Sequence, residues 1–285
     1  MTALRLADAG EAADLAAFLA RLIHYDRAAA VRLQAGGGVL AVFGRPPSFE
    51  VLAIRTARLA PNPPEPQSGG PQSHSYPDSQ SGGPQSGGLQ SGTGIAPAAG
   101  LDLTVSAGDL LEGIDESADS VTLPAAVTGP PWAGVLPPRG GWQQVPGLPS
   151  PQALGRAVAL AVAEFRARDE ALPPERRTRA ERDRIGREIW SRTLGDTHLP
   201  LRAAHAAQSL GFLRPARAEA EAQAGVHGSA GGGGQGTTGS ATGAALAEPP
   251  TLTLLAAGGW LRLRTPYGSV AVRTGGRPAL PLTPA

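Results

Sequence analysis

An α+β fold is predicted by three observations. Apolar side chains recur at helical period near the start of the chain, and short alternating runs bounded by Gly and Pro read as strands. Two low-complexity tracts, roughly Pro61 to Gly100 and Ala216 to Pro249, interrupt segments that otherwise read as folded. Setting those tracts aside leaves enough of the 285 residues for two small cores. The expected organisation is an α+β domain over 1–147 followed by a second domain over 148–285, each with one insertion.

Asp8 and Glu11 stand at a capping spacing, and Leu15, Phe18, Leu19, Leu22 and Ile23 then form one apolar stripe, predicting a helix from about Ala9 to His24. Asp26 is expected to cap a short second helix through Val31 and Leu33, closed by Gly36, Gly37 and Gly38. Val39 to Phe43 and Phe49 to Thr56 read as a strand pair around the turn Gly44-Arg45-Pro46-Pro47, and Leu101, Leu103 and Val105 alternate as a further strand. Ser106 and Asp109 predict a short helix bearing Leu110 and Leu111.

Between Val121 and Val145 lies a Pro- and Gly-rich stretch with Trp132 and Trp142, read as a loop folded back so that both indoles cap the sheet. Ser150-Pro151 opens a helix carrying Leu154, Val158, Ala161, Val162 and Phe165. A second helix runs from about Thr178 to Leu194 with Ile185, Ile189 and Trp190 inward, and a third starts at Pro200 and is closed by Gly211. Thr251 to Leu255, Trp260 to Thr265 and Ser269 to Arg273 are predicted strands, the last two a hairpin. The first tract repeats Gln-Ser-Gly-Gly and has almost no apolar residue to offset ordering entropy, so both insertions are expected to be disordered.

Composition narrows the chemistry. The absence of Cys excludes disulfide scaffolds, thiolate metal sites and cysteine nucleophiles. A net charge of +1 supplies no global field for nucleic acid or acidic membranes, so such binding would need a local patch. All 25 basic residues are Arg, the coding bias of a high-GC genome, which weakens any reading of a given Arg as a chosen phosphate fork. The arginines from Arg166 to Arg187 alternate with Asp169, Glu170, Glu175, Glu181 and Asp183, the pattern of a solvated, paired helix face. Acids near the start, where a signal peptide is apolar, and the lack of a membrane-length apolar run make the cytoplasm the expected location.

No catalytic signature is found. Gly36 to Gly38 do not open a helix as a phosphate loop must, and no Ser, Thr or Asp sits in a nucleophile-elbow context. Asp196, His198 and His205 match no metal-ligand spacing, so neither metal nor cofactor is expected.

The run Phe49-Glu-Val-Leu-Ala-Ile-Arg-Thr, the run Thr104-Val-Ser-Ala-Gly-Asp-Leu-Leu and the run Gly259-Trp-Leu-Arg-Leu-Arg-Thr-Pro-Tyr-Gly resemble a group of uncharacterised two-domain proteins common in high-GC bacteria. The stretch Ile189 to Leu213, followed by Trp260 to Arg273, resembles a winged helix-turn-helix module. That resemblance implies a recognition helix at Leu201 to Leu210 and a wing at Trp260 to Arg273. Arg202, His205, Gln208 and Ser209 would then face a groove, and Arg262 and Arg264 phosphates, with Trp260 a further candidate contact. The implied recognition helix is Ala-rich with one Arg, so the expectation is a non-catalytic binding or regulatory protein acting through a protein partner or a second copy, direct DNA binding being the alternative.

Overall fold

The computed structural model describes residues 2–61, 100–132, 134–214 and 252–274; the expected insertions fall almost wholly outside these. The fold is α+β, with strands β1 (Ala3–Arg5), β2 (Ala30–Gly36), β3 (Val39–Gly44), β4 (Leu52–Arg58), β5 (Asp102–Ser106), β6 (Ile114–Asp115), β7 (Ser120–Thr122), β8 (Gln143–Val145), β9 (Thr253–Ala257), β10 (Trp260–Thr265) and β11 (Gly268–Arg273). The helices are α1 (Ala9–Tyr25), α2 (Ala107–Glu112), α3 (Pro151–Glu170), α4 (Arg179–Trp190) and α5 (Leu201–Ser209).

Helix starts follow the capping residues. Asp8 accepts the Glu11 N–H at 2.9 Å, Ser150 Oγ that of Ala153 at 3.2 Å, and Thr178 Oγ1 that of Glu181 at 3.3 Å. The α5 end is a Schellman closure: Gly211 takes φ of 76°, the Phe212 N–H donates to the Ala207 carbonyl and that of Gly211 to Gln208. The turn lands Phe212 in the core, stacked on Phe18 of α1 with centroids 5.6 Å apart.

The expected helix after Asp26 is a strand, β2. Val31 and Leu33 are fully buried while Arg32 and Gln34 point the other way, the period-2 pattern of a half-covered sheet, and backbone pairing with both β3 and β5 outweighs a lone capping signal. The glycines expected to end that helix instead form a two-residue hairpin turn, with Gly37 and Gly38 at φ of 58° and 75°; Gly258 and Gly259 repeat the device between β9 and β10.

Eight strands form one antiparallel sheet in the order β5-β2-β3-β4-β11-β10-β9-β8, while β1, β7 and β6 make a small second sheet. The halves of the chain join where Ala53 of β4 pairs with Val270 of β11, and β8, on the N-terminal side of the expected boundary, pairs with β9. The sheet is therefore continuous across that boundary. One apolar core, drawn from Leu4 through Val272, lies between the sheet and the helices. Burial of each large aliphatic side chain there contributes about 1.5–3 kcal/mol. Against this face α1 packs on β4 and α2, and α5 on β11 and α3.

One buried charge crosses the junction. Arg55 of β4 donates to Glu11 Oε2 at 2.8 Å, to Asp14 Oδ2 at 3.3 Å, and to the Tyr267 carbonyl at 2.9 Å. Burial pushes its pKa down and the two carboxylates pull it back. Arg214 also pairs with Asp14 and lies over the Tyr267 ring.

Candidate functional site

The other face of the sheet carries the alternate residues of the same strands. On β10, Leu261 and Leu263 enter the helix-side core while Trp260, Arg262 and Arg264 point outward, as their alternation predicts. Outward residues of β4 and β11 join Trp260 and the loop residue Trp132 in a second buried cluster of Leu52, Ile54, Trp132, Trp260 and Ala271. The Pro- and Gly-rich loop covers it, so both indoles lie against the sheet as expected, Trp132 buried and Trp142 half-buried. Phe43, Val135, Leu136 and Trp142 form its half-exposed margin. Trp142 Nε1 donates to the Pro138 carbonyl at 3.1 Å.

The sequence candidates divide between several places. Arg262 donates through Nε to Ser269 Oγ at 2.8 Å and lies 5.8 Å from the Trp142 ring centroid, its pKa lowered by burial and then by neighbouring Arg264. Arg264 is exposed on the same face, one register row away. Trp260 is buried beneath the guanidinium of Arg273 at 5.0 Å. On α5, Ala203, Ala204, Ala206 and Ala207 are sealed, leaving Gln208 exposed and Ser209 half-buried. His205 does not face solvent freely: its ring stacks on Trp190 at 4.3 Å and meets Phe49 edge-on at 5.0 Å, and burial holds its pKa below the usual histidine value. The hairpin expected as a projecting wing has both edges occupied, β10 by β9 and β11 by β4.

Arg202 and Trp260 meet at a cleft of about 820 Å³ between the halves. Its walls come from the end of α1 and start of β2 (Asp26 to Ala30), the segment Arg45 to Leu52, the loop around Thr128 to Val135, α5 through Arg202, and the end of β11 through Arg273. Arg45 and Glu50 were missed as site residues, since Arg45-Pro46-Pro47 reads first as a turn; a cation held against two rigid prolines was the available signal.

The arginine run of α3 and α4 is paired in part, Arg166 and Arg187 making no ion pair among the described residues. Arg168 forks onto Glu188 at 2.8 Å, Arg192 onto Glu164 at 2.5 and 2.7 Å, and Arg182 meets Asp169 at 2.7 Å. Among the described residues there is no group of three or more His, Asp or Glu placed to hold a metal ion, and no helix long and apolar enough to cross a membrane.

Comparison with curated proteins and with solved structures gives no match. Two family models match the chain, one in each half: residues 1–68 a domain of unknown function, DUF8010, and residues 137–277 a second, DUF8185, whose start ahead of β8 places that strand with its partner β9.

Proposed function

We propose that the protein is a non-catalytic binding or regulatory protein that engages a protein partner on the outer face of its sheet. The observation that carries this reading is the tryptophan-centred cluster there, with Phe43, Val135, Leu136 and Trp142 half-exposed at its margin and Arg262 laid over Trp142. Interface energy concentrates in Trp and Arg side chains set in packed apolar surroundings. Direct DNA binding by the winged-helix-like segment is the second reading, favoured by the exposed Arg264 and Gln208. It has less support, because the alanine stripe of α5 is committed to the core and Arg168, Arg182 and Arg184 of α3 and α4 already hold carboxylates.

A photo-crosslinking residue at Leu136 of the full chain, exposed to an extract of the source cells, tests the reading. A discrete protein adduct that survives nuclease and is lost in Trp142→Ala supports it, and an adduct of twice the chain mass identifies the partner as a second copy. Salt-sensitive binding of a labelled mixed-sequence duplex between about 50 and 200 mM salt, lost in the Arg262→Ala/Arg264→Ala variant, would establish DNA binding instead. Neither adduct nor duplex binding overturns both readings.

A further inference from the structure

We propose that the cleft at the junction of the halves binds a small organic polyanion, a phosphate ester or a polycarboxylate. Three guanidiniums, Arg45, Arg202 and Arg273, reach its wall from three separate elements. None of them makes an ion pair among the described residues, unlike Arg55 at the helix-side junction, although Arg273 donates to the Gly134 carbonyl. Arg202 Nε is buried without a hydrogen-bond partner among the described residues. A planar fork with a donor left open is suited to bidentate capture of phosphate or carboxylate oxygens.

Two carboxylates also line the cleft. Asp26 Oδ1 already accepts the Ala28 N–H at 3.0 Å, which leaves it partly committed to the backbone. Glu50 is exposed and held in the left-handed region at φ of 51° and ψ of 41°. A non-glycine residue in that region costs on the order of 1 kcal/mol or more and recurs at ligand sites. The remaining walls are apolar and stiff: Pro46, Pro47, Pro130, Val135 and the Trp260 indole. The volume is that of a small-molecule site, and it accepts a ligand with a compact anionic group and an apolar or planar body. Since Arg45 comes from the first half and Arg202 and Arg273 from the second, one anion would bridge both sides of the β4–β11 seam. The cleft shares Leu52, Val135, Trp260 and Ala271 with the outer-face cluster, but the inference requires no protein partner there.

Thermal unfolding of the full chain is measured in pyrophosphate and, separately, in citrate, at constant ionic strength, for the wild type and the variants Arg45→Ala, Arg202→Gln and Arg156→Ala. A rise in Tm that begins near Kd and then grows with the logarithm of anion concentration is expected, roughly 5–10 °C at a hundredfold excess over Kd. It should be lost or weakened at least tenfold in apparent Kd in Arg45→Ala and Arg202→Gln, and kept in Arg156→Ala, an exposed position on α3 outside the cleft. Arg45 is exposed, so its variant folds even if Arg202→Gln does not. A response to pyrophosphate alone assigns phosphate esters and one to citrate alone polycarboxylates. Both anions also stabilise proteins by exclusion from the surface, an effect that grows in proportion to concentration, so a rise linear in concentration, or one equal in all variants, overturns the proposal, as does no rise.

Discussion

The two faces of the eight-stranded sheet are built from alternate residues of the same strands, yet they are covered by different materials. The helix side is aliphatic and alanine-rich, continuous across both halves of the chain, and its one buried guanidinium, Arg55, is held by two carboxylates and a carbonyl. The outer side carries three of the four tryptophans under a Pro- and Gly-rich loop; there Arg262 and Arg273 lie over indole rings and meet a serine and a loop carbonyl, while Arg32, further along the sheet, forks onto Asp102. A face sealed by helices repays burial with stability. A face covered by loop keeps Trp and Arg near solvent, where they are available for recognition. The same β10 sequence serves both, Leu261 and Leu263 on one side and Trp260, Arg262 and Arg264 on the other.

The strongest way to break this contrast is Phe212→Ala. Phe212 is 2% exposed, touches Phe18 from the first half, and lies so near Gly268 that a Cβ there would meet its ring at 2.6 Å. Removing it should cost about 3–5 kcal/mol in urea unfolding, through lost transfer energy and a cavity. Because the core is shared, both halves should unfold in one transition at a lower midpoint; a second transition with the first half unmoved would show two independent cores. Next in size is Arg55→Met, which takes the shared partner from Glu11 and Asp14, leaves them Arg58 and Arg214, and should cost about 1–3 kcal/mol. Adding Glu11→Gln should recover part of that loss, and a double variant no more stable than the single would argue that packing, not charge, holds the site.

Much of this was legible in the chain. The stripe from Leu15 to Ile23, the Ser150 cap and the Gly211 stop each act within one or two helical turns, and the structure keeps all three. Val31 and Leu33 were misread because a local cap at Asp26 competes with strand partners distant in sequence, and only the fold supplies β5 as a neighbour. The seam between β4 and β11 was invisible for the same reason: nothing in Ala53 or Val270 encodes a partner more than 200 residues away. Of the candidate site, Arg202 and Trp260 were named, but Arg45 and Glu50 join them only because the junction folds their loop beside α5. His205 was read as a groove contact through the winged-helix resemblance; the aromatic rings that enclose it come from Trp190 and, across the halves, Phe49.

That enclosure gives the smallest of the expected effects and the finest test of how tightly the helix side is sealed. Burial lowers the His205 pKa in the folded chain, while the unfolded chain keeps the ordinary value of about 6.5. Between the two values the unfolded state binds more protons, so stability rises with pH there. The His205 contribution is fully present above about pH 6.5 and is lost as pH falls from that value through the folded pKa. His205→Phe should flatten this part of the stability profile between about pH 5 and 7 while leaving the midpoint at pH 8 nearly unchanged, as the stack on Trp190 survives in a ring that cannot be charged. Unfolding midpoints of both proteins across that range decide the matter. Parallel profiles would mean that the folded imidazole protonates as readily as the unfolded one, and that water reaches the seam between Phe49 and Trp190.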